Sequence, residues 1–394
     1  MKNDKPIKTS LLDTDFYEYS MGQAIHNNFN DVHAKLKFKC RGDQDLSHIA
    51  GEVNENIEHL CTLRHTSDEI DYLKSNPIFS PNYIEFLRLF KFNKDFIKVK
   101  VEDNQLSIET DGPLPYTNAF EVHTLSIVNE VYTRNMFPDI DYTEAKRKVD
   151  EKIKSADDFF KHKARFTLAD FGTRRRFNFE WQRYVDTQFS ENLSSDCFVG
   201  TSNVLFAKEL GIKPIGTHAH KYFQIGQGVT RISDSVKYML QLWADTFRGD
   251  LGIALSDIVG FEAFLKDFDK YFAKLFDGCR HDSGDPFWWC NLLIEHYLKL
   301  SIDPTTKTAV FSDGLDFDLM FKIIDTFRSR IKLSFGIGTN MTNDMGESYK
   351  ALQIVMKMIE CNGHSVAKIS DSPGKGMCED AEFLSYLKKV FQIQ

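Results

Sequence analysis

Paired cysteines are missing from this chain: its seven cysteines (Cys40, Cys61, Cys197, Cys279, Cys290, Cys361 and Cys378) lie far apart, with no CxxC and an odd total. Neither a disulfide framework nor a zinc ribbon is indicated, and a reducing compartment fits. No apolar run approaches the roughly 18 residues of a membrane span. The polar start Met1-Lys-Asn-Asp-Lys5 also lacks the apolar stretch of a secretion signal. A cytoplasmic, soluble protein is the expectation. Basic residues are in deficit, 49 Lys and Arg against 57 Asp and Glu for a net charge of -8. That balance argues against a general nucleic-acid binder, whose affinity comes from clustered cations neutralising phosphates, and leaves small molecules as the expected partners. Low-complexity tracts and a Pro/Gly/Ser linker are absent too, so nothing marks a clean domain boundary.

What the chain does have is material for a core, 42% hydrophobic and 13% aromatic over 394 residues, enough for one large domain and a smaller one. It also has a rhythm. Gly200-Thr-Ser-Asn-Val204 and Ile215-Gly-Thr-His-Ala-His220 each read as a strand that ends in small polar residues at a helix start. Apolar runs with polar or glycine ends recur at Phe166 to Arg174, Leu251 to Asp257, Gly278 to Asp285, Lys307 to Asp313 and Ile331 to Thr339. The repeat predicts a β/α barrel whose chemistry sits at one rim.

Elsewhere the pattern is α+β. Ala34, Leu36, Phe38 and Cys40 alternate with Lys35, Lys37 and Lys39, a half-buried strand. Phe96 to Val101 and Leu106 to Ile108 flank Asp103-Asn104 as an antiparallel hairpin. Glu121 to Arg134 has the apolar spacing of an amphipathic helix. Asn362-Gly363 is a hairpin turn between Leu352 to Cys361 and His364 to Ile369, placed to return the chain to the first domain. The division expected is 1–140, joined by 351–394, as the α+β domain, with 141–350 as the barrel.

Several polar clusters fall at predicted strand ends. Ser312-Asp-Gly-Leu-Asp316 and Ser334-Phe-Gly-Ile-Gly-Thr339 carry glycines that let backbone amides converge on an anion. Arg280-His-Asp-Ser-Gly-Asp285 concentrates charge too costly to bury unpartnered, with Asp282 suited to a sugar diol and Arg280 to an anion. Phe171-Gly-Thr-Arg-Arg-Arg176 joins an aromatic face to guanidinium groups, which suits a planar anionic ring, although at least one arginine is expected only to cap or solvate. His218 and His220 admit two readings. Side by side on a strand they invite zinc, as in a metal-dependent hydrolase; in a helix their rings diverge and His220 alone is reactive.

With Leu12-Asp-Thr-Asp-Phe-Tyr17, Asp170 to Arg176, Gly200 to Asn203, Gly216 to His220, Arg280 to Pro286, Ser334 to Gly338 and Ser370-Asp-Ser-Pro-Gly-Lys375 in order, the chain resembles the bacterial nicotinate phosphoribosyltransferase family over nearly its whole length. The resemblance implies a type II phosphoribosyltransferase fold, an irregular β/α barrel beside an α+β domain, in a homodimer with shared active sites. It implies a ligase that joins nicotinate to phosphoribosyl pyrophosphate for NAD synthesis, with ATP coupled through a phosphohistidine. His220 would be that histidine, Phe171 and a partner subunit's Tyr17 would sandwich the pyridine, and Arg174 would face its carboxylate. Ser202 and Arg280 would line the base and ribose, Asp282 would hold the ribose hydroxyls, and amides around Gly314, Gly336 and Gly338 would take the 5′-phosphate. Thr201, Ser283 and Gly284 complete the expected substrate contacts. No protein metal site is expected, Mg²⁺ being held mainly by the substrates' phosphates. Nicotinamide phosphoribosyltransferase is the near alternative, distinguished by an acid at the position of Ser202. Three residues depart from the family pattern: Glu18 and Lys221, where Lys and Glu are usual, and His123 inside a usual Glu-Val-Pro-Leu-Leu run. The acid at 18 is expected to weaken an anion contact.

Overall fold

The computed structural model describes residues 5–346, 349–372, 376 and 378–393, so Pro373, Gly374 and Lys375 of the last motif lie outside it. The antiparallel sheet begins with β1 (His33–Cys40), β2 (Ile97–Glu102) and β3 (Gln105–Pro113). Along β1, Ala34, Leu36 and Phe38 are buried, while Lys35 and Lys37 reach outward to Glu360 (3.2 Å) and Glu379 (2.7 Å). The β2–β3 turn at Asp103 and Asn104 takes φ of 49° and 58°. Positive φ at both positions matches the twist of the strands it joins.

Seven strands then form the barrel: β4 (Thr167–Asp170), β5 (Phe198–Thr201), β6 (Lys213–Pro214), β7 (Ile253–Leu255), β8 (Gly278–His281), β9 (Thr308–Phe311) and β10 (Lys332–Ile337). All their pairings are parallel, in the order β6-β5-β4-β10-β9-β8-β7. That order runs around a curled sheet with one gap, between β6 and β7, where the Thr217 hydroxyl donates to the Ile253 carbonyl at 3.1 Å. The connecting helices pack apolar stripes on the sheet. In Phe317–Phe327 the buried set is Phe317, Met320, Ile323, Ile324 and Phe327, each worth about 1.5–3 kcal/mol of burial. These helices start where strands end, capped by Asn203, Asp285 and Asp316 side chains. The polar strand ends seen in the sequence are therefore partly caps and partly the rim of a cleft.

The chain returns through β11 (Ile354–Cys361) and β12 (His364–Ser365), with Asn362 and Gly363 at φ 54° and 76°. β11 pairs with β1, giving the order β12-β11-β1-β3-β2. The helix at Phe120–Met136 is present, but every residue from Phe120 to Thr133 is buried, so it is not amphipathic. It runs through the interior, and some of its polar side chains find internal partners instead of water: Asn129 donates to the Arg176 carbonyl (2.6 Å) and Thr133 to the Phe177 carbonyl (2.7 Å). Among the described residues no helix is long and apolar enough to cross a membrane.

Candidate active site

The C-terminal ends of the barrel strands face β11 and the end of β1 across a cavity of about 360 Å³. Its walls bring together Tyr17, Phe171, Arg174, Ser202, His220, Arg280, Asp282, Gly314 and Gly338 from the sequence-predicted set. Within one chain Tyr17 lines the same cavity as Phe171, where the expectation placed a partner subunit's tyrosine. The segment before it is tied to the rim: Phe16 N–H donates to the Ser202 carbonyl (2.7 Å), Val204 N–H to Thr14 (3.0 Å) and Leu205 N–H to Leu12 (2.9 Å). A buried ion pair holds the same segment, Arg176 gripping both oxygens of Asp13 at 2.6 and 2.8 Å. Arg176 is thus the structural member of the arginine trio, buried instead of solvated.

His220 opens the helix His220–Val229. Its Nε2 lies 2.7 Å from Asp257 Oδ1 and 3.6 Å from Asp282 Oδ2. Asp257 Oδ2 accepts from Ser283 Oγ (2.6 Å) and meets Lys368 Nζ (2.9 Å). Burial, reinforced by Lys368, lowers the imidazole to about 4 against the pull of Asp257 and Asp282. The ring is neutral at pH 7, and because Asp257 is an ionised acceptor the proton sits on Nε2. Nδ1 keeps the lone pair. Burial acts on Asp282 in the other direction, but His220 and Arg280 hold it down at about 2; its Oδ1 accepts from Ser312 Oγ at 2.9 Å. His218 points away from this group. It stacks on Tyr222 (centroids 5.5 Å apart) and meets Trp243 edge-on (4.6 Å), so the two histidines diverge as the helical reading requires. The residues whose donor atoms converge are His220, Asp257 and Asp282, and Lys368 already supplies the cation beside Asp257.

At the other end of the cavity, Arg174 lies between two buried carboxylates, 3.8 Å from Asp15 and 3.7 Å from Glu121. Ser202 lines the wall, but its hydroxyl donates to Asp15 at 2.7 Å. Arg174 is thus the cation at this end of the cavity, and Ser202 is linked to it through Asp15. Burial raises Asp15 above its usual range, opposed by Arg174.

Four predicted contacts stand behind the wall. Thr201 donates to Asp170 (3.0 Å), Ser283 to Asp257, and Gly284 N–H to Ser372 (2.9 Å). Gly336 lies within β10 opposite Ala169, and a Cβ there would come within 2.2 Å of the Phe171 ring. The missing Cβ is what leaves room for that ring. The sequence reading missed Asp15, Glu121, Lys357 and Lys368, which line the cavity, and Asp257, which orients His220. Asp15 and Asp257 stood inside motifs already picked out; Lys357 and Lys368 come from the returning C-terminal segment, where alternation marks a strand but not what it faces.

The family models for the nicotinate phosphoribosyltransferase (NAPRTase) family and for its N-terminal domain match residues 166–394 and 12–129. The chain belongs to the nicotinate phosphoribosyltransferase family. It is 45% identical over 403 residues to a nicotinate phosphoribosyltransferase of Acinetobacter baylyi, covering 100% of this chain and 98% of that one. Against the Chromobacterium violaceum enzyme of the same name it is 46% identical over 401 residues, 100% and 99% of the two chains. The crystal structure of nicotinate phosphoribosyltransferase from Vibrio cholerae superposes with a TM-score of 0.95 at 38% identity, covering 100% of this chain and 95% of that one. A putative nicotinate phosphoribosyltransferase from Saccharomyces cerevisiae gives 0.92 at 29% identity, 99% and 100% covered.

Within this family frame two of the three departures are one feature. Lys221 Nζ lies 2.6 Å from Glu18 Oε1, so the acid at 18 and the base at 221 meet in one buried contact. Glu18 is engaged with Lys221 and Asn118 and is not positioned as a lone repulsive charge. His123 sits edge-on to Phe92, centroids 5.3 Å apart, inside an aromatic cluster.

Proposed function

We propose that the protein joins nicotinate to phosphoribosyl pyrophosphate, giving nicotinate mononucleotide and pyrophosphate, with ATP cleavage coupled through phosphorylation of His220, in NAD biosynthesis. The observation that carries this reading is a neutral, Asp257-oriented His220 opening on the same cavity as an aromatic pair and Arg174. Tyr17 and Phe171 supply faces for a pyridine, and Arg174 a guanidinium for its carboxylate.

In the phosphorylation step His220 Nδ1 attacks the terminal phosphorus of ATP, the bond to the bridging oxygen breaks, and ADP leaves with that electron pair. The positive charge that grows on the ring is matched by Asp257 across the 2.7 Å contact at Nε2. In the transfer step the pyridine nitrogen attacks the anomeric carbon as pyrophosphate departs, and the protein's part is positioning and electrostatics. Asp282, ionised and fixed by Ser312, suits the ribose hydroxyls. Lys357 and Lys368 on one wall and Arg175 and Arg280 on the other give the departing pyrophosphate a cationic lining. Asp282, grouped with His220 and Asp257, would be the carboxylate beside any Mg²⁺ brought in on phosphates, an ion that would neutralise phosphate charge.

Labelling tests the reading. ATP labelled at its terminal phosphate is expected to leave an acid-labile, alkali-stable phosphate on His220, absent in His220→Asn. Label retained in that variant, or mapped to His218, would count against it.

A further inference from the structure

Five side chains, acid and base in alternation, run from the base end of the cavity to Glu18 behind it: Asp15, Arg174, Glu121, Lys221 and Glu18; burial pushes the Glu18 carboxyl up to about 8 against the pull of Lys221. Successive acid and base atoms are 3.8, 3.7, 3.0 and 2.6 Å apart. The four besides Arg174 are buried. Lys221 is a node: its ammonium meets Glu18 Oε1 and Glu121 Oε2 and donates to the Asn118 carbonyl at 2.7 Å. Those three partners match its three N–H bonds. Asn118 in turn donates to the second oxygen of Glu18 at 3.2 Å. Tyr17 lies between the cations, its ring centroid 5.8 Å from Lys221 Nζ and 6.0 Å from the Arg174 guanidinium carbon.

Arg174 is the loose member. Both of its carboxylate neighbours stand outside hydrogen-bonding distance, so its N–H groups remain available to a ligand. What keeps Glu121 from closing on Arg174 is the shorter contact to Lys221 on its other oxygen. Against the upward push of burial, Lys221, Lys357 and Arg174 together hold Glu121 below its usual range, so it is a full negative charge that must be held somewhere.

We infer that Lys221 is a positioning residue for base recognition: by anchoring Glu121 it keeps Arg174 free for the carboxylate of the acid substrate. This rests on the reading of Arg174 given above. With the Lys221 charge removed, Glu121 is left to Arg174 and Lys357, and the guanidinium meant for substrate is drawn into an internal ion pair. The loss falls on the affinity for nicotinate and not on phosphorylation of His220, because no member of the row other than Arg174 is needed to hold a charge on the substrate.

The experiment is a charge exchange across the 2.6 Å contact. Glu18→Lys and Lys221→Glu singly are expected to raise the KM for nicotinate at least about tenfold, with the KM for phosphoribosyl pyrophosphate and the ATP labelling of His220 within about threefold of the parent. The double variant, which restores one charge of each sign, returns the nicotinate KM to within about threefold. Where the single variants do not fold by thermal melting, Lys221→Gln and Lys221→Gln/Glu121→Gln replace them, and the second change, which removes the freed charge, restores nicotinate binding. Single variants with the parent nicotinate KM, a loss spread equally over all substrates, or a double variant no better than the worse single would overturn the inference. Arg174→Ala separates the two levels. If it retains the parent nicotinate KM, the reading of Arg174 falls and the inference with it; if it loses nicotinate while the exchange variants do not, the inference alone falls.

Discussion

At residue scale the account depends on how His220 is held. Its depressed pKa of about 4 keeps the imidazole neutral across the physiological range, so phosphorylation by ATP is expected to be flat from pH 8 to about 5 and to fall only near 4. A labelling rate that instead follows a titration near 6.5 would show that the ring is not desolvated. The same shift has a sign in stability. The unfolded chain takes up this proton at the ordinary histidine pKa while the folded one does not until about 4, so the group's contribution is present above that ordinary value and is lost as pH falls through the interval. Asp257→Asn leaves a neutral partner that no longer fixes the Nε2 proton. Its labelling rate is expected to drop by about two orders of magnitude with the nicotinate KM little changed, measured by rapid-quench labelling. Arg174→Ala, in turn, is expected to lose nicotinate kcat/KM by at least about a hundredfold without a gain for nicotinamide, because the carboxylate's charge partner is removed and no new amide contact is made.

Elements decide where those residues point, and here the sequence was legible in part. Strand ends carrying Phe171, Ser202, Arg280 and Gly314 could be read because a barrel strand that stops in polar residues either caps the next helix or lines the rim. Hairpins at Asp103-Asn104 and Asn362-Gly363 could be read because few residues take positive φ. Burial of the Phe120–Met136 helix could not, since its Ser, Thr and Asn side chains look solvated until their partners on other elements are known. Nor could the service of Gly336, whose missing Cβ matters only because the Phe171 ring occupies that space. Gly336→Ala is therefore expected to displace Phe171 and raise the nicotinate KM more than that for phosphoribosyl pyrophosphate, and equal effects on the two would return Gly336 to the phosphate. Behind the same loop Asp170 accepts from Gln182 (2.7 Å), Thr201 (3.0 Å) and Gly172 N–H (2.8 Å). Burial raises it to about 6, and burial plus Asp170 raises Asp186 well above its usual value. Raised carboxyls stabilise the fold below their unfolded pKa and lose that contribution as pH rises through the folded one. Asp186→Asn, which needs no buried proton, is expected to raise Tm at pH 8 relative to the parent, with the gain fading as pH falls toward 4; a constant difference across pH would contradict the shared burial.

On the scale of the whole molecule, the reach of the N-terminal segment matters most. Residues 12–17 cross to the barrel rim of their own chain, so the cavity has Tyr17, Phe171 and His220 together without a second subunit. Mixing Tyr17→Ala with His220→Asn chains is expected to restore no activity, because each chain carries its own defect into its own cavity. Recovery on mixing would mean that the segment is exchanged between chains in solution. The resemblance in sequence could not decide this point, since which chain supplies a residue depends on loop paths and not on motifs.

The most direct test of the central claim is product analysis with purified protein, phosphoribosyl pyrophosphate, Mg²⁺ and either nicotinate or nicotinamide, each with and without ATP. The account predicts nicotinate mononucleotide and pyrophosphate, ADP formed alongside when ATP is present, and a kcat/KM for nicotinamide lower by at least about a hundredfold, the discrimination expected of a site built around a cation for an anionic base. Equal turnover of the two bases, or nicotinate mononucleotide formed with no ADP from added ATP, would contradict it.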